Sequence, residues 1–259
     1  GFVWDLGFGI RDLRMKPLLK AVLYTPLFNL LVFFSWLVPG HSVGWAIILL
    51  TIVVRIILWL PQNKILNGQL YLRSHQDELK KLTERYDNPQ ERGKAQMAYY
   101  KEHGINPLAG CLPMLIQIPI LYILYLVFTA GLHDIRPDLL YSFTPHPDAV
   151  NAQFLGINLA GKDRFFLPVI AALLQFAQTR YNQKLMPIST NKNDPTAMMT
   201  KQMMYLFPAM TYFIGSTLPA GLSLYWATTT LFQIGQQAYT TKRFVAKSPK
   251  RVEVTVRKK

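Results

Sequence analysis

Apolar residues in this chain come in long blocks, separated by charged or proline-bearing stretches. The cleanest block is Val43 to Leu60, VGWAIILLTIVVRIILWL, eighteen residues with one charge, Arg55. Eighteen apolar-dominated residues suffice to cross a hydrocarbon layer about 30 Å thick. Four more blocks follow, at 108–130, 165–182, 203–218 and 220–241. The pattern predicts an all-α polytopic membrane protein with five spans from Val43 onward. Only Pro219 separates the last two blocks, which predicts a tight antiparallel helix pair. An earlier block, 21–38, is apolar but broken by Pro26, Asn29 and Ser35. It suits either a span or a helix lying in the membrane interface.

Between the first two spans the pattern changes. Residues 62–103 mix eight Lys and Arg with Asp77, Glu78, Glu84, Glu91 and Glu102. Ile65, Leu72, Leu79, Leu82 and Tyr86 keep helical spacing, as in an amphipathic helix. Asp87-Asn88-Pro89 stops that helix and starts another, with Asn88 as cap and Pro89 in the first turn. Gly104 closes the second helix. The segment is a helical hairpin outside the membrane, serving as a solvated linker or as a docking element for a partner.

Composition sharpens this. The chain is 51% hydrophobic and 16% charged, against about 25% charged in soluble domains. Cys111 is the single cysteine, which excludes an internal disulfide and a multi-cysteine metal site. The net charge of +14 matters through its location. The 62–103 excursion, the 183–201 linker and the 242–259 tail together hold nineteen Lys and Arg, whereas the 131–164 loop holds Arg136, Lys162 and Arg164. With five spans the three basic segments share one side, which the positive-inside rule makes cytoplasmic. Four basic residues before position 21 fit that rule better if 21–38 also spans. The tail reads as disordered and electrostatic, meeting ribosomal RNA or anionic lipid.

Arg55 is the chemical focus. At mid-membrane an arginine costs at least about 2.5–3.5 kcal/mol, and the other four spans contain no Asp or Glu to pair with it. Either it snorkels to a near interface or it faces a hydrated polar cavity. Gln117 lies between Pro113 and Pro119 in the second span, Gln175 and Gln178 in the third. The fifth span carries Ser223, Tyr225, Thr228, Thr229, Thr230, Gln233, Gln236 and Gln237, so one face must look inward at protein or water. A small-solute transporter or channel is the alternative, but such proteins place Asp, Glu or His in their spans for ion work. All five histidines lie outside the spans and no nucleophile-plus-base set is legible, which argues against an enzyme. The His and Asp residues of the 131–164 loop match no tight metal-ligand spacing.

Three stretches together carry a family signature: TIVVRIILWLP around Arg55; Asn106-Pro107-Leu108-Ala109-Gly110-Cys111-Leu112-Pro113 running to Gln117-Ile118-Pro119; and Leu218-Pro219-Ala220-Gly221-Leu222 running to Tyr225-Trp226 and Gln236-Gln237. Their set resembles the YidC/Oxa/Alb family of membrane protein insertases, in its bacterial form. The resemblance implies a five-span core over 43–241 with the hairpin 62–103 inserted, a basic cytoplasmic tail 242–259, and an N-terminal segment 1–42 with an interfacial helix at 21–38. It implies a groove open to the cytoplasm and to lipid, with no catalysis and no cofactor. Arg55, Thr51, Gln117 and Gln178 match groove positions, Tyr225 and Trp226 the substrate-contacting pair, and Ile118 and Leu121 the apolar residues touching a passing segment. For Tyr225 and Trp226 the residues alone also allow an aromatic-belt role. The implied partners are nascent membrane proteins, the bilayer of the bacterial inner membrane, the ribosome through 242–259, and a Sec translocon or targeting receptor through 62–103.

Overall fold

The computed structural model describes residue 18 and residues 20–104, 112–131, 137–185 and 195–247. The basic N-terminal residues before position 18, the Asn106–Cys111 motif and the tail beyond Lys247 lie outside the described residues. A π-helical turn, Lys20–Tyr24, leads into α1, Thr25–Leu37. Then come α2, Val43–Ile57; α3, Trp59–Ser74; α4, Gln76–Thr83; and α5, Pro89–Glu102. After α6, Leu112–Gly131, a loop carries the antiparallel pair β1, Gln153–Phe154, and β2, Ile157–Asn158. The chain closes with α7, Phe166–Leu185; α8, Pro195–Thr217; and α9, Ala220–Lys247. α9 packs against α2, α3, α6, α7 and α8 and is the central post of the fold.

The first span departs from the sequence reading. Its helix stops at Ile57, not at Leu60, and α3 leaves at 63° to α2. Leu58 takes up the bend, and Pro61 becomes the third residue of α3, within the first turn where it removes no helical hydrogen bond. The first arm of the hairpin, expected as one helix up to Asp87, is two helices, α3 and α4, broken at His75 and ending at Thr83, whereas the second arm follows the expected punctuation. Asn88 Oδ1 accepts from Gln90 N at 2.9 Å, Pro89 opens α5, and Gly104 has φ +62° just past its end. α8 starts at Pro195, eight residues before the apolar block, because the linker's second half is helical as well. α9 runs on to Lys247, so residues 242–247 of the basic tail are helical and not disordered. Residues 220–247 thus form one helix with its cations at the C-terminal end, where they suit the helix dipole.

Lys20–Leu37 is long and apolar enough to cross a membrane, as is the bent pair α2 and α3 if taken together. The polar residues of α1 nevertheless point into the protein. Asn29 is 4% exposed; it donates to Thr25 O and Leu139 O and accepts from Tyr141 N and Thr144 Oγ1, all at 2.7–2.8 Å. Those bonds hold the middle of α1 against the 137–144 loop. The same loop region is stapled to the helix starts. Val43 N donates to Asn151 O, Ala220 N to Gly161 O and Gly221 N to Leu159 O, at 2.8–3.0 Å. Helix-terminal N–H groups have no intrahelical acceptor, so these carbonyls satisfy them. Gly44 is needed here because a Cβ would fall inside the Phe154 ring. The core beneath is apolar: Phe28, Ile47, Leu50, Val127, Phe128, Leu159 and Leu222 are buried at 2% exposure or less.

Candidate functional site

Arg55 sits in the last turn of α2 and is 2% exposed. Its side chain is folded inside the protein. Its Nη2 donates to Gln117 Oε1 of α6 at 2.7 Å, and Gln117 Nε2 donates to the Tyr225 hydroxyl of α9 at 3.0 Å. One relay therefore ties three helices together. No carboxylate lies within ion-pair distance of Arg55 among the described residues. A neutral amide, itself bonded to a phenol, accepts from the guanidinium, a weak arrangement for a cation so far out of water. Thr51, one turn earlier on the same face, is 1% exposed and bonds back to Ile47 O at 2.6 Å.

The other expected positions divide. Gln178 of α7 donates to Gln233 Oε1 of α9 at 3.1 Å, about two turns along α9 from the relay's Tyr225. Trp226 and Leu121 are half-buried, Leu121 packed on the apolar core. Ile118 falls on α6, and its side chain lies outside the described residues. The family resemblance implies an open groove, whereas Arg55, Thr51 and Tyr225 are each exposed by 2% or less. The polar side chains close on one another in this conformation.

The partners of the fifth-span polar residues, Asn63 and Asn182, and the neighbouring Thr240 and Thr241 escaped the sequence reading. Gln236 Nε2 donates to Trp59 O at 3.2 Å and Asn63 Oδ1 at 3.3 Å, and Thr240 Oγ1 donates to Asn63 Oδ1 at 2.7 Å. Gln237 Nε2 donates to Asn182 Oδ1 of α7. Tyr225, Thr229, Gln233, Gln237 and Thr241 recur every four residues, a polar stripe down one side of α9. That spacing was available as a signal; Asn63, at the start of the charged excursion, and Asn182, at the end of the third apolar block, offered none. Much of the stripe is not self-satisfied. Among the described residues Thr229 Oγ1, Thr230 Oγ1, Gln237 Oε1, Thr241 Oγ1 and Gln183 Nε2 are buried polar atoms with no hydrogen-bond partner. Each such atom costs about 1–3 kcal/mol.

The 60Kd inner membrane protein family model matches residues 33–247, which contain the relay and the whole α9 stripe. This chain belongs to that family. Among its relatives is a protein named membrane protein insertase YidC from Fusobacterium nucleatum subsp. nucleatum, 36% identical over 205 residues, covering 77% of this chain and 86% of the relative. Proteins of the same name from Francisella tularensis subspecies novicida and tularensis are 38% identical over 205 residues. The match covers 78% of this chain and 33% of each of those two, so the chain spans about a third of their length. Membership in a 60Kd inner membrane protein family agrees with the apolar blocks and the mostly helical fold.

Proposed function

We propose that this chain is a membrane protein insertase of the inner membrane: it receives the hydrophilic tail of a client in the polar space between α2, α6, α7 and α9, and releases the client's apolar segment sideways into lipid. The carrying observation is the α9 stripe, on which Thr229, Gln237 and Thr241 keep orphaned polar atoms, together with an Arg55 that has no carboxylate partner among the described residues. A protein optimised only for its own packing would not keep buried groups unpaired. An arriving polar segment, or the water that comes with it, supplies the missing partners.

In this reading α2, α6, α7, α8 and α9 are the five spans, with the hairpin, the 183–201 linker and the C-terminus in the cytoplasm. α1 lies along the outer face, because its midpoint, Asn29, is tied to the same loop that staples the outer end of α2 at Val43. A helix crossing the bilayer would carry its midpoint to the membrane centre instead. Arg55 favours tails bearing Asp or Glu by a few kcal/mol in a partly hydrated site. Tyr225 releases Gln117 and takes the tail's polar groups, while Ile118, Leu121 and Trp226 guide the apolar segment outward, where burial in lipid yields about 25 cal/mol per Å2. The client moves and no bond is made or broken. The hairpin presents its charged face to a targeting receptor or Sec translocon, and the basic tail to ribosomal phosphates.

The test is reconstitution of the purified chain in liposomes with single-span clients whose tails differ only in charge. Wild type inserts the clients unaided. Arg55→Ala slows acidic-tailed clients most, and Arg55→Lys restores most of the rate. Equal rates for Ala and wild type on acidic tails would remove the arginine from the mechanism. Leakage of a small solute from client-free liposomes would favour a channel.

A further inference from the structure

We infer that the loop joining α6 to α7 is a lipid-anchored cap, whose hairpin tip at Leu155 and aromatic Phe143 insert into the outer leaflet. The inference rests on the membrane reading above and adds a binding surface to it. Leu155 and Gly156 form the two-residue turn between β1 and β2, since Phe154 pairs with Ile157. Both have left-handed backbones, φ +51° and +79°. A turn of this kind strongly prefers Asn, Asp or Gly at its first position. Leucine there is strained, and it also holds its side chain 77% exposed. Neither backbone geometry nor packing accounts for it, whereas an apolar surrounding does.

The rest of the cap repeats the theme. Phe143 is 79% exposed and stacks on Tyr141 with ring centroids 5.2 Å apart. With Pro26, Leu30, Phe33 and Pro145 these two rings line an apolar cleft of about 370 Å3 between α1 and the loop, wide enough for part of an acyl chain. Phe165, beside the start of α7, is 71% exposed, and Trp45, in the first turn of α2, is 54% exposed. Trp45 packs edge-on against Phe154, 5.6 Å away, directly beneath the Leu155 turn. All these groups cluster at the end of the fold where α2, α7 and α9 begin and where the loop is hydrogen-bonded to α2 and α9. In the membrane reading that is the level at which headgroups meet acyl chains, where exposed aromatic and aliphatic side chains are expected. The occupant is therefore the lipid layer itself, continuous with the lipid around the spans.

The experiment places an environment-sensitive fluorophore on single cysteines in a Cys111→Ser background, in phosphatidylcholine–phosphatidylglycerol vesicles. Positions 155 and 143 are probed separately, so that one failed variant leaves the other. Leu231, 61% exposed on α9, serves as the lipid control and Lys94, exposed on α5, as the water control. Labels at 155 and 143 are quenched by a nitroxide placed high on the acyl chain, and by aqueous iodide several-fold less than at 94. Iodide quenching equal to that at 94, with 231 still quenched by the nitroxide, overturns the cap. Loss of nitroxide quenching at 231 instead overturns the membrane reading beneath it. Shielding at 155 and 143 from both quenchers overturns the lipid occupant in favour of a protein one.

Discussion

Replacing Gln117 by Leu should cost more than the volume change explains, and removing Arg55 as well should return most of the loss. Gln117 makes two bonds that matter: it accepts from Arg55 at 2.7 Å and donates to Tyr225 at 3.0 Å. A hydrogen bond to a charged group contributes about 1.5–3 kcal/mol and a neutral one about 1 kcal/mol. Deleting the amide leaves a guanidinium that is 2% exposed without this partner, and a buried charged donor left unsatisfied costs about 3 kcal/mol or more. Some of that returns if the side chain swings toward water across the exposed Ile56 and Ile57 turn. A net loss of about 2–4 kcal/mol follows, a fall of several degrees in apparent melting temperature for a chain of this size. In the Arg55→Leu, Gln117→Leu double variant the stranded charge is gone, so the two losses should fail to add by about 1.5–3 kcal/mol. The assay is a double-mutant cycle by thermal unfolding in one detergent. Losses that add to within about 0.5 kcal/mol would show the two residues to be energetically independent and would refute the relay.

Two further outcomes follow from the same contacts. Asn29→Leu strands Leu139 O, Tyr141 N and Thr144 Oγ1, so α1 and the 137–144 loop should part at a cost of about 2–4 kcal/mol; faster protease cleavage within 137–144, with the hairpin's cleavage unchanged, is the expected readout. Deleting 248–259, which takes Lys250, Arg251, Arg257, Lys258 and Lys259, should weaken ribosome association and flatten its dependence on salt; a salt-insensitive association unaffected by the deletion would exclude phosphate recognition by the tail.

How much of this was legible beforehand depended on the range of the physics involved. Local signals transferred well. Asn88, Pro89 and Gly104 start and stop α5 as their backbone chemistry requires, and the block after Pro219 is one helix from Ala220. The bend at Leu58 was hidden, because Pro61 draws attention to itself three residues too late and nothing local marks Leu58. The site divided in the same manner. An unpaired Arg55 can be read from composition alone, and Gln117 and Tyr225 come from motifs. That those three side chains form one relay is a matter of helix packing. Gln178 joins Gln233 and not Arg55 because α7 meets α9 two turns further along. Asn63 was invisible because it lies in a charged stretch whose pattern says water, while α3 folds back far enough to meet Gln236 and Thr240.

The carbonyls of Asn151, Gly161 and Leu159, bound to the first N–H groups of α2 and α9, have a mechanical consequence. Two rods pinned at one tip and joined elsewhere only by side chains can separate in one manner, by splaying like the legs of a compass. The gap between α2 and α9 is then widest toward Ile57, where Arg55 sits, and narrows toward the pin. For the insertase we propose, such a hinge would let a client enter from the splayed end alone, a direction set by the backbone before any side chain chooses what enters.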